Sequence, residues 1–297
     1  MSTAYDKIYR IDSKDCKGVF GGLLEFTEKI DGSQVGWGWR VQDNTFIVRS
    51  KGRELQELEP DEIGQFKRIY SWLQDIKEKI PTGYFFYGEY LERAKHNKIN
   101  YARIPKGFCC VFAVWNENTQ QWLSYNEMKA IVDRIGLDIV PLLDIKLADE
   151  IADLPTYMGE LLSKAKPYLG GDIVEGIVVK DYSLYDKRDM TVGKLVSESF
   201  KEVKHKKTDC KDPLLKVESL FSAYATTARW DKAIQHCKDR GELTGKHTDI
   251  PMLLKELMQD LMEEEGENIK QELFKIFKKQ LHKTITEGFA DYYFSQE

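Results

Sequence analysis

Between residues 23 and 50 the apolar side chains fall on every second position. Val35, Trp37, Trp39 and Val41 alternate with smaller or polar residues, Gln42-Asp43-Asn44 breaks the run, and Thr45-Phe46-Ile47-Val48-Arg49-Ser50 resumes it. A period of two is that of a strand with one buried face, so this stretch predicts a hairpin. After Pro60 the period changes: Ile63, Phe66, Ile69, Leu73 and Ile76 recur at helical spacing, and Pro81-Thr82-Gly83 ends the helix. Two β-prone runs follow, Tyr84 to Leu91 and Phe108 to Trp115, separated by a polar loop from Glu92 to Pro105. Ser124-Tyr125-Asn126-Glu127 has the pattern of a capping box opening a helix toward Ile135, with Gly136 suited to its exit. A further helix is expected over about Ala148 to Ala165, and strands over Ile173 to Lys180 and Met190 to Val196. From Pro213 onward the alternation disappears, and Leu253, Leu254, Leu257, Leu261 and Leu273, Ile276, Phe277, Leu281 recur at helical spacing. The pattern therefore predicts an α+β domain of antiparallel sheets over residues 1–208, followed by a small all-helical domain over 209–297.

Composition narrows this little. A chain of 297 residues can bury a real core, and a formal charge of −5 excludes a uniformly basic surface, so contact with nucleic acid needs a local patch. No apolar run approaches the ~20 residues that span a bilayer, and Met1 to Arg10 lacks the apolar core of a signal peptide. The five cysteines are an odd count without zinc-site spacing, and neighbouring Cys109 and Cys110 would face opposite sides of a strand. Free thiols in a reducing, cytoplasmic compartment (a host's cytoplasm for a phage or viral protein) are the expectation.

The chemistry-bearing residues sit where strands begin and end. In Glu25-Phe26-Thr27-Glu28-Lys29-Ile30-Asp31-Gly32 a lysine lies between a strand-like approach and an Asp-Gly turn. Burial and a fixed turn are what a lysine nucleophile needs, although an Asp-Gly beside a solvated lysine is also an ordinary hairpin. Glu89, Glu175, Lys180 and Lys194 are likewise charges inside or at the ends of apolar strands. Each such charge costs several kcal/mol unless paired. Five of them, of both signs, fit a pocket for a triphosphate and its metal better than they fit a core.

In order and spacing over about residues 23–207, these motifs resemble the RNA ligase branch of the covalent nucleotidyltransferases, especially the RNA ligase 2 and RNA-editing ligase type. Lys29-Ile30-Asp31-Gly32 matches the nucleophile motif, Tyr87-Gly88-Glu89 the third motif, and Glu175-Gly176-Ile177-Val178-Val179-Lys180 the fourth. Val111-Phe112-Ala113-Val114-Trp115 resembles the strand that supplies a stacking aromatic, and Lys194 through Phe200-Lys201-Glu202 resembles the fifth motif. The resemblance implies an antiparallel-sheet adenylyltransferase domain in which Lys29 takes AMP from ATP, passes it to an RNA 5′-phosphate, and a 3′-hydroxyl displaces it. It implies a catalytic set of Lys29, Lys194 and Glu175, with magnesium, or manganese in its place, held through water by Glu175. Lys194, Lys180 and the metal would keep Lys29 neutral. It further implies that Glu28 reads the adenine, Phe112 stacks on it, Glu89 holds the ribose, and Ile30, Asp31, Gly32 and Lys180 line the nucleotide site. For Phe112 plain core packing, and for Lys180 a simple ion pair, are equally open.

Several positions depart from the family pattern. An arginine is expected after the hairpin, and Arg49 and Lys51, two residues apart on one strand face, both qualify. The second lysine of the fifth motif is replaced by Val196, leaving Lys194 alone or helped by Lys201 or Lys204. The helical C-terminal part stands where RNA ligase 2-like enzymes grip nucleic acid, which points to RNA ends in a duplex or bridged nick as partner of a monomer. Its Lys270, Lys275, Lys278, Lys279 and Lys283 form either a phosphate-binding stripe or a wet face. Competing readings are a DNA ligase, a GTP-using capping enzyme, and a nucleic-acid binder without turnover.

Overall fold

The computed structural model describes residues 4–13, 16, 18–181, 191–200, 203 and 212–295. Lys201, Lys204 and most of the basic run after Phe200 lie outside the described residues. The chain divides into two compact units, one of Met1–Phe200 with Cys237–Leu243 and one of Lys201–His236 with Thr244–Glu297.

The first unit is built on two sheets. β1 (Tyr9–Arg10), β2 (Leu23–Lys29), β9 (Leu142–Leu147), β10 (Gly176–Asp181) and β11 (Val192–Val196) form one in the order β1-β11-β10-β2-β9. The other contains β3 (Ser33–Arg40), β4 (Thr45–Ser50), β5 (Tyr84–Tyr90), β6 (Cys109–Asn116) and β7 (Gln121–Trp122) in the order β4-β3-β5-β6-β7, with β8 (Asp138–Ile139) beside β6. All pairings are antiparallel except β1 with β11 and β6 with β8. The alternation of the hairpin sends Val35, Trp37, Phe46 and Val48 into one core. There they meet Ile69 and Leu73 of α1 (Lys67–Ile76) and Met128 and Val132 of α2 (Tyr125–Ile135). Ser124 caps α2 with the reciprocal bonds of a capping box, and Gly136 closes it in the left-handed region. Behind the first sheet, Phe26, Ile177 and Val179 pack on Met158 of α3 (Leu154–Lys164). Asp153 caps α3, so the helix begins at Leu154, and the residues from Ala148 that were expected to be helical form only a 3₁₀ turn.

Two sheet irregularities bear on the site. Tyr87 pairs with Ala113 and Gly88 with Val111, which leaves Phe112 as an extra residue on β6. Such a bulge re-aims a side chain. Phe26 pairs with Asp144 and Thr27 with Leu142, a second bulge two residues before Lys29. Cys16, Cys109, Cys110 and Cys237 are buried free thiols, and Cys109 and Cys110 enter different cores as their alternation requires.

In the second unit, α4 (Pro213–Tyr224), α5 (Thr227–Asp239, its last turn grouped with the first unit), α6 (Ile250–Thr286) and α7 (Phe289–Phe294) are the described α-helices. Leu220, Ala223 and Tyr224 of α4 pack with Leu261, Ile269, Leu273 and Ile276 of α6. Arg229 and Lys232 both bond the buried Asp260, at 3.2 and 2.9 Å. Along α6, Lys270 and Lys275 pair with Glu267 and Glu272 one turn earlier, so part of the basic stripe is balanced by its own helix. No described helix is long and apolar enough to cross a membrane.

Candidate active site

Lys29 ends β2 directly opposite Gly176, the first residue of β10. That register brings the residue before the strand, Glu175, to the lysine, and Lys29 Nζ lies 2.7 Å from Glu175 Oε1. A side chain at Gly176 would meet the Leu195 carbonyl at 2.2 Å, so the close approach of β10 and β11 requires glycine here. Glu89 arrives from β5, whose partner in β3 at that level is Gln34, and its Oε1 accepts the Gly32 N–H at 3.2 Å. Gly32 has no room for a side chain either: a Cβ would lie 2.6 Å from the Tyr90 carbonyl and 2.9 Å from Glu89.

In the ligand-free protein this cluster sets acids around a base. Burial alone would lower the Lys29 pKa, but Glu175, Glu89 and Asp31 together raise it above the ordinary lysine value. The ligand-free lysine therefore keeps its proton, because acids rather than cations surround it. Burial pushes the Glu175 pKa up to about 7 against the opposing pull of Lys29 and Lys194. Glu89 is pushed up to about 8 by burial, Lys29 opposing and Glu175, Asp31 and Asp239 adding to the rise. Lys194, in β11 opposite Val178, is thus within electrostatic reach of Glu175. No group of three or more His, Cys, Asp or Glu among the described residues is placed to hold a metal ion directly. Glu175 Oε2 is buried without a hydrogen-bond partner. An open carboxylate lone pair of this kind suits the water of a hydrated cation, as magnesium prefers.

Glu28 is 2% exposed; one oxygen accepts the Tyr168 N–H at 2.9 Å, and Oε1 is buried with no partner. Burial pushes its pKa up to about 7. An unfilled acceptor this deeply buried is costly in a finished core and suits a ligand donor such as an exocyclic amine. Phe112 is half-buried at its bulge, with the ring of Tyr5 edge-on at 5.0 Å.

Other expected site residues are engaged elsewhere. Ile30 is a core residue packed with Leu91, Ile99, Tyr101 and Val140. The Lys180 amine donates to the Phe112 carbonyl and lies within electrostatic reach of Glu25, opposite which it stands in the register, so in the ligand-free protein it is engaged between the strands. Arg49 turns back on the chain, donating to the carbonyls of Ser50 at 3.1 Å and Lys51 at 3.4 Å. Lys51 does not share a strand face with it: β4 ends at Ser50, whose N–H bonds the Arg53 carbonyl, and the chain reverses at Lys51-Gly52.

The loop between β5 and β6 carries residues that pattern alone did not single out. Asp31 Oδ2 accepts the N–H groups of Lys98 and Ile99 at 2.8 and 2.7 Å, the Asp31 N–H donates to Tyr101 Oη at 2.8 Å, and Asn97 Nδ2 donates to the Gly32 carbonyl at 2.7 Å. The loop thus grips the turn after Lys29 from outside. Its signal in the sequence is Ile99 and Tyr101, two apolar-bodied residues in a polar stretch, both buried.

The family model described as RNA ligase matches residues 23–201, well over half of the chain and every strand that carries these groups. The chain belongs to the RNA ligase family. No curated protein sequence matches it. Among solved structures, an apo mutant of Naegleria gruberi RNA ligase is 18% identical, with a TM-score of 0.49 over 67% of this chain and 57% of that one. A Naegleria gruberi RNA ligase mutant with ATP and manganese is 17% identical, with a TM-score of 0.46 over 66% and 57%. An archaeal ATP-dependent RNA ligase is 16% identical, with a TM-score of 0.41 over 93% of this chain and 65% of that one. The chain thus spans under three fifths of the length of the Naegleria proteins it matches. The matched range contains Lys29 paired with Glu175, Ile30 in the core beside the turn, and Lys180 bonded to the Phe112 carbonyl.

Proposed function

We propose that this protein is an ATP-dependent RNA ligase that seals 3′-hydroxyl and 5′-phosphate RNA ends through a lysyl-AMP and an RNA-adenylate. The observation that carries the reading is the Lys29 amine held 2.7 Å from Glu175 at the end of a strand, beside the turn gripped by the 96–101 loop. In the first step the Lys29 nitrogen attacks the α-phosphorus of ATP, an N–P bond forms, the P–O bond to pyrophosphate breaks, and the amine gives up its proton. Glu175, the nearest carboxylate and one with a pKa raised to about 7, is placed to take that proton. Glu28 offers its open Oε1 to the adenine amine, Phe112 offers a ring for stacking, and Glu89 faces the ribose. Lys194 offsets charge on the transferring phosphate. A magnesium ion, with Glu175 Oε2 accepting from its water, would supply further charge neutralisation at the phosphates. AMP then passes to an RNA 5′-phosphate, and a 3′-hydroxyl displaces it to form the phosphodiester. RNA repair, and contact of the helical region over 209–297 with the RNA, belong to the same proposal.

The test is covalent labelling with α-labelled ATP and magnesium, followed by a sealing assay on matched nicked RNA, RNA–DNA hybrid, DNA and single-stranded RNA. The expected outcome is ATP label on the wild-type chain, none on Lys29→Ala, and sealing of RNA nicks. Labelling by GTP in preference to ATP would select a capping-type enzyme, and sealing of DNA nicks alone a DNA ligase. A wild-type chain that never takes label across metals and pH would leave only a nucleic-acid binder.

A further inference from the structure

The hydroxyl of Ser33, at the far end of the turn that begins at Lys29, is bound by three side chains that the proposed chemistry leaves unused. His96 Nδ1 accepts the Glu92 N–H at 3.2 Å, so that nitrogen carries no proton and the neutral ring holds its proton on Nε2. Nε2 then donates to Ser33 Oγ at 3.0 Å, and Gln65 Nε2 donates to the same oxygen at 3.2 Å. The one hydroxyl proton of Ser33 goes to Asp239 Oδ1 at 3.0 Å, and Gln65 also bonds that oxygen. A serine hydroxyl has one proton to give and two lone pairs to accept with, and these three bonds use one and two of them in turn.

The group at the end of this relay is the unexpected one. Asp239 is 8% exposed and lies 206 residues beyond Ser33, in the segment Cys237–Leu243 that belongs to the first unit. A buried carboxylate within electrostatic reach of the acid Glu89 costs free energy that an apolar residue of similar size would not. Packing alone does not call for it. What it achieves is orientation: the other contacts fix Asp31 and the backbone of Gly32, and Asp239, with His96 and Gln65, fixes the Ser33 side chain at the end of the turn.

We propose that Asp239 is a positioning residue for the nucleophile, locking the Lys29 turn through Ser33 so that the amine meets the α-phosphorus in line. The inference rests on the reading that Lys29 accepts AMP. It makes the first chemical step depend on a residue beyond position 208, so the C-terminal helical part of the sequence supplies part of the adenylylation site.

The test uses the full chain and single-turnover labelling with ATP. Asp239→Ala and Ser33→Ala each slow labelling at saturating ATP by about tenfold, with the half-saturating ATP concentration within about twofold of wild type, as expected for a misaimed nucleophile. Asp239→Asn, which keeps an acceptor for Ser33, restores the rate to within about twofold, and the double alanine variant is no slower than the slower single one. Wild-type rates in Asp239→Ala would overturn the proposal, as would losses confined to half-saturation, additive losses in the double variant, or a smaller labelled fraction reacting at the normal rate. Should Asp239→Ala fail to fold, Ser33→Ala decides: a wild-type rate there overturns the proposal and a tenfold loss supports it. A wild-type chain that takes no label defeats the ligase reading itself, a result distinct from all of these.

Discussion

Replacing Lys180 by methionine separates two roles that a lysine at the end of the fourth motif can have. Lys180 and Glu25 are 4% and 1% exposed, sit opposite each other in β10 and β2, and are charges whose burial works against both, pushing the Glu25 pKa up and that of Lys180 down. Methionine fills nearly the same volume, but it strips Glu25 of its counter-charge and the Phe112 carbonyl of its donor. Leaving a buried charge uncompensated costs about 3–5 kcal/mol. The Tyr125 N–H, 2.8 Å from Glu25 Oε1, keeps part of the carboxylate satisfied, so the lower end, about 3 kcal/mol, is expected. With a urea dependence of about 3 kcal/mol per molar, that is a fall of about 1 M in the unfolding midpoint. Glu25→Gln in the same chain removes the stranded charge while keeping the Tyr125 bond, and should recover more than half of the loss. The labelling rate per folded molecule should stay within about twofold of wild type, since neither group touches Lys29 or Glu175. An unchanged midpoint together with a weakened response to ATP would refute this reasoning and return Lys180 to the phosphate.

Three further outcomes follow from the geometry. Glu28→Ala should abolish discrimination between ATP and inosine triphosphate, a charge-assisted bond of ~1.5–3 kcal/mol being ten- to hundredfold in half-saturation; equal discrimination before and after would remove Glu28 from the adenine. Gly32→Ala forces a Cβ against the Tyr90 carbonyl, and thermal melts should show a loss of about 1–3 kcal/mol together with loss of labelling. His96 has its pKa lowered to about 4 by burial, with Lys238 and Arg93 adding to the shift. The unfolded chain therefore binds the extra proton between pH 6.5 and 4, and the stability that neutral His96 contributes is lost as pH falls through that window. The gap in unfolding free energy between wild type and His96→Gln should narrow by roughly 2–3 kcal/mol from pH 7 to pH 4.5, and a constant gap would show that the ring is not buried neutral.

What could be read from the chain divides along a physical line. The hairpin from Ser33 to Ser50 and the capped helix after Ser124 were legible because their signals are local, in alternation and in a four-residue box. The nucleophile turn and the acids at 89 and 175 were legible as charges in apolar strands. Register was not: whether Lys180 points to a phosphate or to Glu25 depends on which residue of β2 lies opposite, and Lys51 leaves the strand because Ser50 closes a turn with Arg53. Phe112 gave no sign of its bulge, which exists only as a mismatch between two paired strands. Asp239 gave none at all, because nothing near it in a helical stretch marks a partner 206 residues away.

That separation has a consequence for how the protein acquires competence. The side-chain bonds that hold residues 31–33 reach across 32, 57, 63, 65, 67, 68, 70 and 206 positions of chain, so none can be made by a neighbourhood folding alone. Closing such loops is entropically expensive, and the contacts that repay it come late. A chain with both sheets formed but Cys237–Leu243 undocked would have native secondary structure and an unaimed lysine. On the proposed chemistry, covalent uptake of nucleotide would be a stricter gauge of complete folding in this molecule than circular dichroism, counting only the chains in which residues 33 and 239 have met.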